Sequence, residues 1–111
     1  MVGKENTNLN QEILSIIHSY HQALRQAGIP LDDLLLFGSH AKGTAHRWSD
    51  IDLAVVAPQF GHDSFDERIM LMQLSRGISD LIEPHPFHPD DLNNRWSTIA
   101  QEIKKYGIRI E

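Results

Sequence analysis

Two aspartates one residue apart, Asp50 and Asp52, open the β-branched run that continues to Val56. In an extended strand alternate side chains share a face, so both carboxylates point one way while Ile51 and Leu53 point into the opposite layer. Like charges at that spacing raise one another's pKa unless a cation neutralises them, and oxygen donors at this density suit Mg²⁺ rather than zinc. Read alone, the pattern also fits a turn capped by Ser49 and Asp50, with Asp52 solvated on an edge strand. Ten residues separate Asp50 from Gly38-Ser39, which ends the apolar run Leu34-Leu35-Leu36-Phe37. A strand that turns there into a short helix leaves backbone N–H groups free to seat phosphate oxygens. Ser39 adds a hydroxyl, and Lys42 and Arg47 are nearby cations. Gly38 permits a tight turn and Gly43 ends it. An anion seat beside a carboxylate pair on adjoining strands outlines a nucleoside triphosphate site.

Two competing motifs fail on the same residues. Gly38 and Gly43 have the spacing of a phosphate-binding P-loop, but Thr44 and Ala45 stand where Lys and Ser or Thr should follow. Asp50 and Asp52 do not open a calcium loop either, because Ala54 occupies the next ligand position. Neither His18 with His21 nor His85 with His88 has the cysteine or carboxylate partners of a zinc site, although His85, two residues after Glu83, is placed to approach the pocket. Trp48 directly precedes Ser49 and either stacks on a base or packs against the first helix.

The elements that must position these groups follow from periodicity. Leu9, Ile13, Ile16, Ile17, Tyr20 and Leu24 give an amphipathic helix to Ala27, stopped by Gly28 and Pro30. Leu34 to Phe37 predicts a strand covered on both faces, Ser39 to Ala45 a short helix, and Ile51 to Val56 a second strand. A helix capped by Asp63 or Ser64 runs to Arg76 and buries Phe65, Ile69, Met72 and Leu74. A third strand begins at Ile78 and stops at Ile82 or Glu83, before Pro84 and Pro86. A last helix starts at His88 to Asp91, carries Leu92, Trp96, Ile99 and Ile103, and ends at Gly107; Ile108 to Ile110 forms an edge strand. The order predicts an α/β (α+β) fold, a small mixed β-sheet packed with helices. Residues 1–8 read as a flexible leader and 9–111 as one domain.

Composition narrows the partners. The 111-residue chain has no cysteine, which removes disulfides and thiolate chemistry. Fifteen acidic against ten basic residues give a formal charge of -5, which argues against an extended nucleic-acid surface. No apolar stretch is long enough for a membrane span, and a cytoplasmic location is expected.

Gly38-Ser39, ten residues, then Asp50-Ile51-Asp52-Leu53 resembles the signature of the DNA polymerase β-type nucleotidyltransferase superfamily. Ala41, Gly43 and Ser49, with the short chain, resemble its minimal nucleotidyltransferase branch. Arginine is frequent in the family where this chain has His40 and His46. The resemblance implies a polymerase β-like fold, with Gly38, Ser39, Lys42, Gly43, Arg47 and Ser49 around the nucleotide. It also implies two Mg²⁺ ions on Asp50, Asp52 and a third carboxylate from a neighbouring strand. Asp80 and Glu83 are the candidates, an odd number of residues apart, so a regular strand turns only one to the site; Glu83 is expected, in place of the usual Asp. ATP is the implied donor and AMP transfer to a hydroxyl the implied reaction. A HEPN-domain toxin is the implied partner, either adenylylated on a tyrosine or neutralised by direct contact, in a homo- or hetero-oligomer.

Overall fold

A computed structural model describes residues 10–110. The expected leader 1–8, and Leu9 at the expected helix start, lie outside the described residues. Helix α1 (Gln11–Gln26) begins at Asn10, whose side-chain oxygen accepts from the Glu12 N–H at 2.7 Å and satisfies one first-turn donor. Then come β1 (Asp33–Phe37), α2 (Ser39–Lys42), β2 (Ile51–Val56), α3 (Ser64–Leu74), β3 (Ile82–Phe87), a 3-10 turn (Pro89–Asn93), α4 (Thr98–Tyr106) and β4 (Ile108–Arg109). The sheet order is β3-β2-β1-β4, with β2 antiparallel to β1 and parallel to β3, and β4 antiparallel to β1. This is the mixed sheet packed with helices that the sequence predicts.

Alternation along the strands divides the core between two faces. Leu34, Leu36, Ile51, Leu53, Val55 and Ile82 pack with Ile17, Tyr20 and Leu24 of α1 and Leu71 of α3. Phe37, Ala54 and Val56 pack on the other face with Ile103 of α4, flanked by Leu35 and Phe87. The expected two-sided cover of β1 is therefore present. Asp52 has the parity of Ala54 and Val56, so its carboxylate stands at one end of the α4 face. Buried Tyr20 donates its hydroxyl proton to the Leu71 carbonyl at 2.8 Å and ties α1 to α3.

Three expectations are corrected. The third strand is Ile82–Phe87, so Pro84 and Pro86 lie inside it. β3 is an edge strand, and the Leu81 and Phe87 carbonyls accept from Ile51 and Ala57 of the β2 segment. Odd-numbered residues thus turn their backbone groups to β2, and both prolines stand at even positions facing the open edge, where a missing N–H costs no ladder bond. Helix α3 buries Leu71, with Met70 and Leu74 half-buried against the core, and leaves Phe65, Ile69 and Met72 exposed. Ile69 to Met72 are four successive apolar residues that encircle the helix, so periodicity selects no unique face there. The last helix is split: His88 and Asp91 cap the 3-10 turn reciprocally, and Ser97 caps α4 by accepting from the Ala100 N–H at 3.1 Å. Between them the Asn94 side chain accepts from the Trp96 N–H at 3.0 Å, a local turn that competes with the helix and leaves Trp96 exposed.

Candidate active site

Phe37 ends β1, Asp52 pairs with it on β2, and Glu83 pairs with Asp52 on β3, so one row across three strands carries both acids. Gly38 follows Phe37 with φ 74° and ψ -154°, a region almost restricted to glycine. A Cβ there would overlap Oδ2 of Asp52. The backbone of the Gly38 turn is therefore pressed against the carboxylate, an approach that only hydrogen at this position allows. In α2, the Ala41 and Lys42 N–H groups donate to the Gly38 carbonyl, both at 3.1 Å. The preceding N–H groups, of Ser39 and His40, have no acceptor inside the helix.

One ligand atom each from Asp52, Glu83 and His85 lie within 4.8 Å of one another. His85 Nε2 is 3.4 Å from Asp52 Oδ1 and 3.9 Å from Glu83 Oε1. Its position two residues after Glu83 puts it on the same face of β3, and its ring meets Phe37 edge-on with centroids 5.1 Å apart. Asp50, immediately before β2, hydrogen-bonds Glu83 through its side chain. That bond, then burial, then the charges of Asp50 and Asp52 raise the Glu83 pKa, against the opposing charge of Arg68. Burial lowers the pKa of His85, while its hydrogen bond to Asp52 pulls it upward. Three carboxylates and a nitrogen converging at one end of the sheet are a donor set that fits a divalent cation.

Asp50, Asp52, Glu83, Gly38 and Ser39 are thus brought to one end of the sheet. Asp80 is exposed in the turn before β3, in a cleft with Ile69, Met72 and Arg76. Lys42 reaches α4, with Nζ 3.7 Å from Glu102 and 5.5 Å from the Tyr106 ring centroid. Arg47 lies over the Trp48 ring at 5.1 Å, and Trp48 is 70% exposed rather than packed on α1. Ser49 is a turn former: its hydroxyl accepts from the His46 N–H at 2.8 Å, and its carbonyl meets His40 Nε2 at 3.3 Å. Gly43 ends α2 at φ 77° and, with His40, His46 and Arg47, lines a cleft of about 450 Å³ that includes none of the three carboxylates.

Arg68 is the site residue that sequence reasoning missed. Its Nη2 is 3.3 Å from Glu83 Oε1. Nothing local signals this, because its aim depends on how α3 docks against β3. His85 was detectable through the two-residue period shared with Glu83.

Residues 17–108 match the family model described as a nucleotidyltransferase domain. A chain from a crystal structure of a toxin–antitoxin with AMP-PNP is 30% identical, with a TM-score of 0.57 over 83% of this chain and 69% of that one. A candidate nucleotidyltransferase from Sulfolobus solfataricus shares the fold at 20% identity, with a TM-score of 0.53 over 86% of this chain and 85% of that one. No curated protein matches significantly.

Proposed function

This chain belongs to the nucleotidyltransferase domain family, and from that premise we propose that it transfers AMP from ATP to a hydroxyl of a HEPN-domain toxin, acting as that toxin's antitoxin. The observation that carries the catalytic part is the row Asp52–Glu83 with Gly38 pressed against it, which joins an anion turn to a carboxylate cluster. The partner part rests on the similarity to a chain from a toxin–antitoxin.

In this reading Asp50, Asp52 and Glu83 hold two Mg²⁺ ions, whose chemistry is to neutralise the triphosphate and acidify the acceptor hydroxyl. The Gly38 and Ser39 backbone, with the Ser39 hydroxyl, orients the triphosphate at the end of β1. The acceptor oxygen attacks the α-phosphorus, the bond from that phosphorus to the bridging oxygen breaks, and pyrophosphate leaves. Glu83, the third carboxylate, takes the acceptor's proton. Gly43 ends the turn, Ser49 and His40 hold the return loop in shape, and Lys42 and Arg47 supply positive charge at its rim.

The experiment is incubation with Mg²⁺, a HEPN-domain toxin and ATP labelled at the α- or the γ-phosphate. Label from the α-phosphate alone should remain on the toxin; label from the γ-phosphate would replace nucleotidyl transfer with phosphoryl transfer.

A second reading, a non-catalytic antitoxin that neutralises its partner by contact, is favoured by one observation. Arg68 already stands 3.3 Å from Glu83, so part of the carboxylate charge is balanced within the chain. Under that reading Asp52→Asn leaves neutralisation intact.

A further inference from the structure

We infer that His85 is a nitrogen ligand of the metal site, which gives the site a preference for a first-row transition ion such as Mn²⁺ over Mg²⁺. This rests on the reading of the carboxylate row as a metal seat and adds to it the identity of the preferred ion. In octahedral coordination at 2.0 to 2.1 Å, neighbouring ligand atoms stand about 3 Å apart. The His85 Nε2 separations of 3.4 Å from Asp52 Oδ1 and 3.9 Å from Glu83 Oε1 exceed that value, and all three donor atoms lie within 4.8 Å of one another.

The placement of the ring is fixed by the fold. Glu83 and His85 share a face of β3, and His85 pairs across the strands with Ala54, whose methyl group leaves room for the imidazole. Phe37 holds the ring edge-on from β1, and the His85 side chain is only 18% exposed. A histidine in this position that only oriented Asp52 would act through its hydrogen bond and would strengthen the site for either ion alike. A ligand acts differently: imidazole nitrogen suits transition ions, whereas Mg²⁺ takes oxygen donors and gives up water reluctantly. The consequence is a ratio of affinities rather than a general gain.

The test uses the full chain, Mn²⁺ and Mg²⁺, and pulsed electron paramagnetic resonance of bound Mn²⁺. Nitrogen modulation is expected in the wild type and should change when histidine is replaced by its heavy-nitrogen form, which needs no folded variant. In His85→Gln the modulation should vanish, and the Mn²⁺-over-Mg²⁺ affinity ratio should fall, with Mn²⁺ affinity lost and Mg²⁺ affinity nearly kept. Mn²⁺ bound without nitrogen modulation, modulation that persists in His85→Gln, or an equal loss of affinity for both ions would overturn the inference while leaving the metal seat in place. Neither ion binding the wild type, with Asp52→Asn changing nothing, would overturn the seat as well.

Discussion

Gly38→Ala is expected to destabilise the chain more than Gly43→Ala, and the excess should disappear when Asp52 is removed. At Gly43 the backbone is left-handed, φ 77° and ψ 18°, and an added Cβ meets nothing within 4 Å, so only conformational strain of about 1–2 kcal/mol applies. At Gly38, φ 74° and ψ -154° cost about 1–3 kcal/mol for any residue with a Cβ. The overlap with Asp52 Oδ2 adds an overpacking cost of about 1–3 kcal/mol. Each kcal/mol corresponds to about 4–8 °C in Tm for a domain near this size. The assay is equilibrium urea unfolding in chelator for both single variants, Asp52→Ala, and the Gly38→Ala/Asp52→Ala pair. Asp52→Ala leaves only its Cβ, 3.3 Å from the added atom, so the overpacking part should be recovered. Equal costs at the two glycines, or no coupling between Gly38→Ala and Asp52→Ala, would refute the contact that presses the Gly38 turn against the Asp52 carboxylate.

Tyr20→Phe should cost about 1–3 kcal/mol by urea unfolding, because the Leu71 carbonyl loses its buried donor while the Ser75 N–H is turned to Met72 at 3.1 Å. An unchanged midpoint would mean that another group satisfies that carbonyl. Glu83→Gln should raise Tm in chelator at neutral pH and give no gain below pH 4.5, the ordinary glutamate value. The sign follows from a folded-state pKa that is raised: the stabilising protonated form is fully present below 4.5 and is lost as pH rises through the folded value. A lower Tm at neutral pH would show that Arg68 outweighs Asp50 and Asp52 at that carboxylate.

The site was legible where chemistry and spacing coincide. Gly38-Ser39 and Asp50-x-Asp52 are local patterns, and strand alternation alone sets which face each aspartate takes. Glu83 and His85 were legible as a pair with one parity, but their register against Asp52 was not, because the prolines at 84 and 86 read as a stop. They mark an edge strand instead, a fact set by neighbours that the local sequence does not show. The outward turn of Phe65, Ile69 and Met72 was hidden for another reason: four successive apolar residues give α3 no preferred face. Arg68 reaches Glu83 only as a result of that docking. Lys42, close to the anion turn in sequence, is drawn to Glu102 and Tyr106 of α4, contacts that no spacing rule reveals.

The central claim, nucleotidyl transfer at the Asp52 row, is tested most directly by the intact mass of the proposed HEPN-domain toxin after incubation with ATP, Mg²⁺ and either the wild-type chain or Asp52→Asn. The account predicts a gain of one or more AMP units on the partner with wild type and none with Asp52→Asn, while both chains still bind the partner. An unmodified partner that is nevertheless neutralised by both chains, or AMP transferred equally by Asp52→Asn, would contradict it.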